Sequence, residues 1–389
     1  MKKTLIITFE YPPTVGGIAT YVHEMASSFD SNKMVVLAPR HKRQKEFDNN
    51  LSYKIIRKKL LYPKFVWPRW LKLFWQVLWI VKKEKIEIIM VHHILPVGYV
   101  GIMIKKLLKI PFLLFSHGTD LVVGRKTAWK SKMVKMVADN AEELVFNSQS
   151  LQHRFLSVLP EFENKSLVLY PCPNKDLLVS PPKEELEKLR SLYALQGKQV
   201  ILSVARLTDG KGFPHLIRMI PEILKHIPHL VWIIVGDGPK KEEIFKEIQK
   251  KDLQNVVRFV GEVPYGELKK FYYVSDLFIL LTHPDEGREE GLGLVFLEAA
   301  ACGLPSVAGR SGGVEEAVLN TQTGMVVDIF KGDLLVINTI VDLLRNKKFA
   351  FDLGHHAKDR IKSSFQWKNQ LKRLELWLKK EDSGGINLL

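Results

Sequence analysis

Short, continuous runs of Val, Ile and Leu recur along this chain, and longer segments with helical spacing separate them. Such runs are typical of parallel strands that are covered by helices on both faces. We predict strands at residues 4–9, 34–38, 87–91, 112–115, 144–146 and 167–169, and in a second series at 199–205, 230–235, 256–260, 277–281, 305–308 and 325–327. Prolines between residues 170 and 182 separate the two series, and proline continues neither a sheet nor a helix. The pattern therefore predicts an α/β protein of two doubly wound domains.

The domain boundaries are placed from the same pattern. Residues 1–172 are predicted as an N-terminal domain, residues 173–364 as a C-terminal domain and residues 365–389 as a terminal helical segment. The helix at 366–380 is aromatic on one side and basic on the other, which suits docking on a domain surface. Ligands of open α/β sheets bind at the carboxyl ends of the strands. Two facing domains are therefore expected to hold a ligand in a cleft between them.

Composition excludes several classes of protein. No stretch reaches the ~18 uncharged apolar residues that span a bilayer, and the apolar run at the N-terminus is short and followed by Glu10, unlike a signal peptide. Cys172 and Cys302 are the only cysteines, too few for a disulfide framework or a cysteine-rich metal site. A cytoplasmic protein is the simplest expectation.

The net charge of +16 is concentrated in one segment. Residues 54–85 contain ten Lys or Arg, one acid (Glu84) and four of the eight tryptophans. One interpretation is a domain helix whose aromatic residues fill the core while its lysines are solvated. The other is an interfacial segment whose basic flanks are attracted to anionic lipids. We favour the second, which predicts a peripheral protein on the inner face of the cell membrane.

Nucleic acid is a further candidate partner for so basic a chain. The sequence has no zinc finger, homeodomain or aromatic pattern of an RNA-binding module. No specific nucleic-acid partner is therefore expected.

Two motifs follow strands of the first series. Gly16 and Gly17 lie between a strand and a helix, where glycine permits φ > 0 and backbone N–H groups can approach a phosphate. A tight turn without a ligand is equally consistent with them. His117, in the segment 116–120, can donate to a sugar hydroxyl or a phosphate, although a lone histidine after a strand is more often structural.

Two cations follow the first strand of the second series. Arg206 and Lys211 lie on a glycine-containing turn. Arginine binds two oxygens at once and lysine acts as a point charge, so the pair suits a bound diphosphate. The same two cations would stabilise the negative charge that develops on a diphosphate when it is a leaving group. The alternative is a solvated turn with surface cations. The glycines at 236 and 238 are typical of an ordinary turn.

The strongest signal is the segment 290–298. Glu290 precedes a glycine-containing turn, a helix begins at 293–295, and Glu298 lies about one turn inside it. Two carboxylates at a helix N-terminus suit a ligand that carries both hydroxyls and phosphate. A capped, acidic helix start explains Glu290 equally well, but not an acid within the apolar run 294–301. The predicted ligand-binding residues here are Glu290, Gly291, Leu292, Gly293, Leu294, Val295 and Glu298, and the glycine run 309–316 is expected to border the same pocket.

These motifs resemble the retaining glycosyltransferases of family 4, which have the GT-B fold of two facing Rossmann-like domains. The Glu290-x7-Glu298 pattern matches the family's signature, and the string from 284 to 318 is highly specific. The resemblance runs through most of the chain. Residues 284–293 look most like mannosyltransferases that act on phosphatidylinositol mannosides.

The resemblance implies roles for the matching residues. Glu290 would hold the hydroxyls of the donor sugar, and Glu298 the ribose of the nucleotide. The backbone at 291–295 would contact sugar and phosphate, and Val263 would seat the base. The catalytic residues implied are Glu290, Arg206, Lys211 and His117, and Gly16 and Gly17 match the family's N-terminal glycine loop.

The implied reaction moves a hexose from GDP-mannose or a UDP-sugar to a hydroxyl acceptor, with retention and without a protein nucleophile. A membrane contact of residues 54–85 would suit a lipid-linked acceptor. No cofactor and no metal are expected, because the sequence has no Asp-x-Asp and Arg206 and Lys211 would replace a divalent cation. The terminal helix would cross back onto the N-terminal domain. A sugar-nucleotide epimerase or hydrolase and an inactive nucleotide-binding relative are the alternatives.

Overall fold

The computed structural model describes residues 1–118 and 127–379. Thr119 and Asp120 of the segment 116–120, and Lys380 of the predicted terminal helix, lie outside the described residues. The chain forms two compact units. Unit 1 consists of Met1–Pro171 together with Trp367–Leu389, and unit 2 consists of Cys172–Gln366.

Unit 1 is built on a parallel sheet of seven strands in the order β3-β2-β1-β4-β5-β6-β7. The strands are β1 Thr4–Ile7, β2 Met34–Pro39, β3 Lys54–Lys58, β4 Ile88–His92, β5 Phe112–Ser116, β6 Glu143–Phe146 and β7 Ser166–Val168. The helices are α1 Gly17–Ser27, α2 Gln44–Asp48, α3 Leu71–Glu84, α4 Val97–Leu108, α5 Ala128–Asn140 and α6 Gln149–Leu156. Leu5 and Ile7 of β1 share a buried cluster with Leu73 and Val77 of α3, so that α3 covers one face of the sheet.

Unit 2 has a parallel sheet of six strands in the order β10-β9-β8-β11-β12-β13. These are β8 Gln199–Val204, β9 Leu230–Val235, β10 Val257–Gly261, β11 Leu277–Leu280, β12 Ser306–Gly309 and β13 Met325–Val327. The helices are α7 Lys183–Leu192, α8 Phe213–His226, α9 Lys241–Lys250, α10 Tyr265–Val274, α11 Leu294–Cys302, α12 Val314–Ala317, α13 Asp333–Arg345 and α14 Lys347–Ser364.

Both sheets reverse their direction of winding at one point. In unit 1 the reversal lies between β1 and β4, and in unit 2 it lies between β8 and β11. Open α/β sheets bind ligands at such switch points, outside the carboxyl ends of the strands. The predicted α/β class and the two doubly wound domains are confirmed.

Two details of the sequence prediction are wrong. No strand was predicted in the segment 51–85, but it contains the edge strand β3 in addition to the helix α3. In β3, Lys-Ile-Ile-Arg-Lys has the polar residues of a half-buried edge strand instead of a continuous apolar run. The terminal segment is also not one helix, since a 3-10 turn at Leu371–Leu374 separates α15, Trp367–Gln370, from α16, Glu375–Leu378.

Side-chain bonds tie the terminal segment to the rest of unit 1. The Gln370 side chain accepts a hydrogen bond from the backbone of Tyr170 (3.1 Å), and Arg373 donates to the carbonyl of Val168 (2.6 Å). In the described part of the chain, no helix is both long enough and apolar enough to cross a membrane.

Candidate functional site

Three loops of unit 2 meet at its switch point, after β8, β11 and β12. The backbone N–H of His283 donates to the carbonyl of Gly210 at 3.0 Å, joining the first two loops. Gly212 has φ +78, and a Cβ there would lie 2.1 Å from the carbonyl oxygen of Leu281. Only glycine fits this close crossing of two backbones.

Lys211 and Glu290 form an ion pair at this crossing. Lys211 Nζ lies 2.5 Å from Glu290 Oε2, and both side chains are partly exposed. Two residues that were predicted to bind diphosphate and sugar therefore lie side by side. Because the pair remains open to solvent, a ligand can reach both groups.

The loop after β12 fixes the backbone of Glu290. The hydroxyl of Ser311 accepts a hydrogen bond from the Glu290 N–H at 3.1 Å, and the Gly313 N–H donates to the Glu290 carbonyl at 3.1 Å. Gly312 has φ +51, and a Cβ there would lie 2.1 Å from the same carbonyl. The glycine run 309–316 thus supports Glu290 closely.

Arg206 lies on the same loop as Lys211 with its side chain exposed. Within residues 1–118 and 127–379 its guanidinium forms no hydrogen bond and no ion pair, whereas its carbonyl accepts a hydrogen bond from the Thr208 N–H at 2.9 Å. The turn after β9 holds its neighbour, since the Leu207 N–H donates to the Asp237 carbonyl at 2.9 Å. Gly238 packs so closely that a Cβ would lie 2.3 Å from the carbonyl oxygen of Leu207. The turn at 236–238 is therefore a support for the cationic loop.

The helix α11 begins beside Glu290. Its N-cap residue, Gly293, has φ +85 and provides no side-chain cap. Gly291, Leu294 and Val295 are half-buried and Leu292 is buried. The first N–H groups of a helix lack intrahelical partners, so this end of α11 can accept an anion or a hydroxyl oxygen.

Glu298 lies deeper than the sequence suggested. Glu298 is only 3% exposed, and its Oε2 accepts a hydrogen bond from the Tyr272 hydroxyl at 2.8 Å. Burial, reinforced by the Glu298 charge, holds the pKa of Tyr272 well above its ordinary value, so the phenol keeps its proton and donates. Sequence reasoning missed Tyr272, although a buried acid requires such a donor.

Val263 is half-buried on the loop after β10. In the sheet, β9 separates β10 from β8. Val263 therefore lies at the carboxyl edge of the sheet, on the same side of the switch point as the loop of Arg206.

Gly16 and Gly17 lie at the start of α1 in unit 1. Gly16 has an extended backbone (φ 162, ψ 151), and neither glycine uses the left-handed region that this residue type permits. A Cβ at Gly17 would meet nothing within 4 Å, which leaves space above the first turn of the helix. Arg57 holds the preceding loop, with Nη2 2.5 Å from the carbonyl of Pro12.

His117 follows β5 and belongs to a buried histidine cluster. Its Nε2 lies 3.0 Å from Nδ1 of His92, and its ring is 5.2 Å from that of Tyr21 on α1. Burial, with a smaller effect of His93, lowers the pKa of His117 to about 3. His117 is therefore neutral at physiological pH. His92, His93 and Tyr21 were missed, because only the tertiary structure brings them together.

A cavity of about 510 Å³ lies elsewhere in unit 2. The loop at 208–212, α8, α9, His283 and Asp285 line it, while Arg206, Lys211 and Glu290 do not. Its lining contains both basic and acidic side chains, which matches no single ligand charge. Among the described residues there is no group of three or more His, Cys, Asp or Glu side chains that could hold a metal ion.

Comparison with known proteins identifies the family of each part of the chain. Residues 15–172 match the family described as Glycosyltransferase Family 4, and residues 186–360 match the family described as Glycosyl transferases group 1. The GDP-mannose-dependent alpha-(1-6)-phosphatidylinositol monomannoside mannosyltransferase of Mycolicibacterium smegmatis is 27% identical, over 95% of this chain and 96% of its own length. The monoacylated-substrate counterpart of Corynebacterium glutamicum is 26% identical, over 98% of both chains.

Solved structures share the fold. Anabaena HepE in complex with UDP and glucose superposes with a TM-score of 0.82 at 19% identity, covering 97% of this chain and 99% of its own. Sucrose-phosphate synthase from Thermosynechococcus elongatus gives 0.78 at 19% identity, covering 97% and 98%. The chain therefore belongs to the glycosyltransferases, with an N-terminal part of the Family 4 type and a C-terminal part of the group 1 type, and it adopts the GT-B fold.

Proposed function

We propose that this glycosyltransferase moves a hexose from a nucleoside-diphosphate sugar to a hydroxyl acceptor, with retention of anomeric configuration and without a metal. The observation that carries the proposal is the ion pair between Lys211 and Glu290 at the switch point of unit 2. Lys211 lies on the loop that also bears Arg206. It combines cations for a diphosphate with a carboxylate for sugar hydroxyls.

Arg206 and Lys211 would bind the diphosphate. As the bond between C1 of the sugar and the phosphate oxygen breaks, negative charge accumulates on the departing diphosphate. Fixed cations stabilise that charge in the transition state, as a divalent ion would. The absence of an Asp-x-Asp from the sequence is consistent with this role.

The remaining groups would hold the rest of the donor. Glu290 would accept hydrogen bonds from sugar hydroxyls, and the first N–H groups of α11 would face the sugar and phosphate. Glu298, oriented by Tyr272, would bind the ribose. Val263 would contact the base.

Retention would follow from attack on the face that the diphosphate leaves. The acceptor oxygen would form the new bond to C1, and its proton would pass to the departing phosphate oxygen. No protein nucleophile takes part. His117 would donate a hydrogen bond to the donor, because a neutral imidazole has one N–H.

The donor is the first point to test. The names of the mycobacterial-type relatives support GDP-mannose, whereas HepE was solved with UDP. A ligand that binds only the folded state raises its melting temperature with concentration. We expect such a rise with GDP-mannose or with one of UDP-glucose, UDP-galactose and UDP-N-acetylglucosamine, and no rise with any of them at millimolar concentration would overturn the proposal.

Product analysis tests the reaction itself. With the donor and a phosphatidylinositol-type acceptor, we expect a glycolipid whose anomeric coupling matches that of the donor, formed equally well in EDTA. Release of free sugar alone would indicate a hydrolase, and isomerised sugar nucleotide an epimerase. Nucleic acid should not compete with the donor.

We also propose that α3 and the loop before it contact an anionic membrane, consistent with a protein on the inner face of the cell membrane. The exposed face of α3 carries Trp75 and Trp79, which are 59% and 52% exposed, with Lys82 and Lys83 beside them. The apolar residues of its opposite face fill the core: Leu73, Phe74, Val77, Ile80 and Val81. The core therefore accounts for the aliphatic residues of α3 but not for its tryptophans.

The loop and the charges support the same proposal. Phe65 and Trp67 are 87% and 85% exposed. Glu84 is buried and paired with Lys3 and Lys54, so that it does not offset the lysines of the exposed face. Exposed tryptophans flanked by lysines are typical of a surface that enters the lipid headgroup region.

Co-sedimentation with vesicles of phosphatidylglycerol and phosphatidylcholine tests this surface. We expect binding at low salt that weakens as salt rises, and a large loss of binding in Trp75→Ser/Trp79→Ser. Trp129→Ser on α5 is the matched control, because Trp129 is equally exposed but lies outside the surface. No vesicle binding at low salt would remove the membrane proposal and leave the transfer reaction untouched.

A further inference from the structure

His92 has no role in the proposed reaction, yet it is the most enclosed member of the histidine cluster. It is the last residue of β4 and is fully buried. Its ring stacks on Phe115 at 4.3 Å and tilts against Tyr21 at 6.2 Å. These aromatic rings prevent the imidazole from turning, and its Nδ1 faces His117 Nε2.

The two imidazoles are joined edge to edge. The Nδ1–Nε2 distance is 3.0 Å, the ring planes differ by 14° and the centroids are 5.2 Å apart. Face-to-face stacking would not bring the two nitrogens to hydrogen-bond distance at this centroid separation. Burial lowers the pKa of both rings, so both are neutral at physiological pH. Each ring therefore carries one N–H, and one proton lies between the two nitrogens.

Two arrangements of the protons are compatible with that bond. In the first, His92 donates from its Nδ1, and the single proton of His117 is therefore on Nδ1 of His117. In the second, His117 donates from its Nε2, and the single proton of His92 is therefore on Nε2 of His92. The environment of His92 Nε2 distinguishes them. This atom is buried and has no hydrogen-bond partner in the described part of the chain. A buried N–H without an acceptor is rarer and costlier than a bare acceptor atom, which favours the first arrangement.

We propose that His92 is a positioning residue that fixes the tautomer of His117, so that His117 presents an N–H at Nδ1 to an acceptor oxygen of the sugar nucleotide. The proposal rests on the proposed function for the identity of the ligand. Nδ1 of His117 forms no hydrogen bond with the residues that the structure describes, whereas its Nε2 is occupied by His92. His117 can therefore donate to a hydroxyl or phosphate oxygen at this atom, but it cannot accept a proton there.

The tautomer can be read directly and without any activity. In the full-length protein labelled with [15N]histidine, a long-range 1H–15N correlation spectrum shows which ring nitrogen carries the proton, and loss of signals in His117→Gln assigns that ring. We expect the His117 proton on Nδ1 at pH 7. A proton on Nε2 would overturn the proposal, whichever sugar nucleotide the enzyme uses.

Substitutions at His117 test which nitrogen serves the ligand. Asparagine places an amide N–H near the position of Nδ1, and glutamine places one near Nε2. We expect kcat/KM of His117→Asn to exceed that of His117→Gln by about tenfold, since one hydrogen bond is worth ~1 kcal/mol or slightly more. Equal values, or a better glutamine variant, would contradict a donor at Nδ1.

Substitutions at His92 test its positioning role. His92→Leu should lower kcat/KM by about tenfold and allow the other tautomer of His117 to appear in the spectrum. His92→Asn, which keeps a donor near Nδ1, should restore most of the activity. His92→Leu should cost nothing further when combined with His117→Gln. If His92→Leu and His92→Asn have the same activity in a folded protein, His92 does not act through His117. If His92→Leu fails to fold, the wild-type spectrum and the comparison of His117→Asn with His117→Gln still test the proposal.

Discussion

At the scale of single residues, two opposite charges of the candidate site in unit 2 bind each other. Lys211 and Glu290 come from loops that follow neighbouring strands, β8 and β11, and they form an ion pair. In the proposed function, a diphosphate would therefore compete with Glu290 for Lys211. Phosphate bound to the lysine would leave the carboxylate available to sugar hydroxyls.

This competition predicts that Glu290→Gln separates binding from turnover. Without the carboxylate, Lys211 keeps its full charge for phosphate, and we expect GDP or UDP to bind about threefold more tightly, the effect of a partly exposed ion pair. Turnover should fall, because the sugar loses its acceptor. Calorimetric titration and initial rates measure the two effects. Glu286→Gln, which removes a charge from the same loop but not from the pair, should change neither; weaker binding of the diphosphate by Glu290→Gln would refute the competition.

A second residue-scale prediction concerns Tyr272. In Tyr272→Phe the buried carboxylate of Glu298 loses a donor at 2.8 Å, and we expect the free energy of unfolding to fall by ~2 kcal/mol. The measurement is urea denaturation of the two single variants, Tyr272→Phe and Glu298→Gln, and of the double variant. The double variant should be clearly more stable than the sum of the single effects implies. Strict additivity would show that the hydrogen bond contributes little.

At the scale of elements, the sequence predicted the residues at the ends of the strands and missed those that pack beside them. Arg206, Lys211 and Glu290 were identifiable because a parallel sheet brings the ends of its strands to one edge. Tyr272 was not, because only packing in three dimensions brings α10 to Glu298, and neither was Ser311 as a support for Glu290.

The strand and helix errors have the same origin. Continuous apolar runs indicate strands buried on both faces, and β3 is an edge strand with charged residues. The periodic pattern at 366–380 is compatible with one helix, but the hydrogen bonds of Gln370 and Arg373 to the backbone near β7 hold the segment as short separate turns. Tertiary contacts at the edge of unit 1 override the local helical periodicity.

Gly212→Ala tests how the loops after β8 and β11 are joined. The new Cβ would lie 2.1 Å from the carbonyl of Leu281 at φ +78, and we expect a loss of ~3 kcal/mol in unfolding free energy together with weaker donor binding. Gly287→Ala is the matched control, since Gly287 has φ +74 with nothing within 4 Å of a Cβ. It should cost only ~1 kcal/mol, for the backbone conformation. Equal losses in the two variants would mean that the close crossing is unimportant.

At the scale of the whole molecule, the two units differ in their buried histidines. Burial lowers the pKa of His23 and His93 to about 4 and that of His117 to about 3, and all three lie in unit 1. In unit 2, His215 also has a lowered pKa, but it is only half-buried. A histidine whose pKa is lower in the folded than in the unfolded state binds fewer protons when folded. Its contribution to stability is present above the unfolded pKa of 6.5 and declines as the pH falls below it, down to the folded pKa.

Unit 1 should therefore lose stability before unit 2 on acidification from pH 6.5 to pH 4.5. Seven of the eight tryptophans lie in unit 1, and Trp232 lies in unit 2. Fluorescence melting of Trp232→Phe thus follows unit 1, and calorimetry follows both units. The melting temperature of unit 1 should fall with pH, and His93→Asn should make the fall smaller. A melting temperature of unit 1 that is constant over this range would contradict the expectation.

The chain leaves unit 1 after residue 171 and returns to it at Trp367, and this path sets an order of events during synthesis. All of unit 2 emerges from the ribosome before α15 and α16 do, so the second unit can fold first. Until α15 emerges, Tyr21 of α1 lacks the ring of Trp367, which packs on it at 5.4 Å in the folded protein. An aromatic surface of the nascent unit 1 therefore stays uncovered. The first unit to be translated is thus the last to be completed, and a ribosome that stalls before residue 367 leaves that surface open to chaperones and to aggregation.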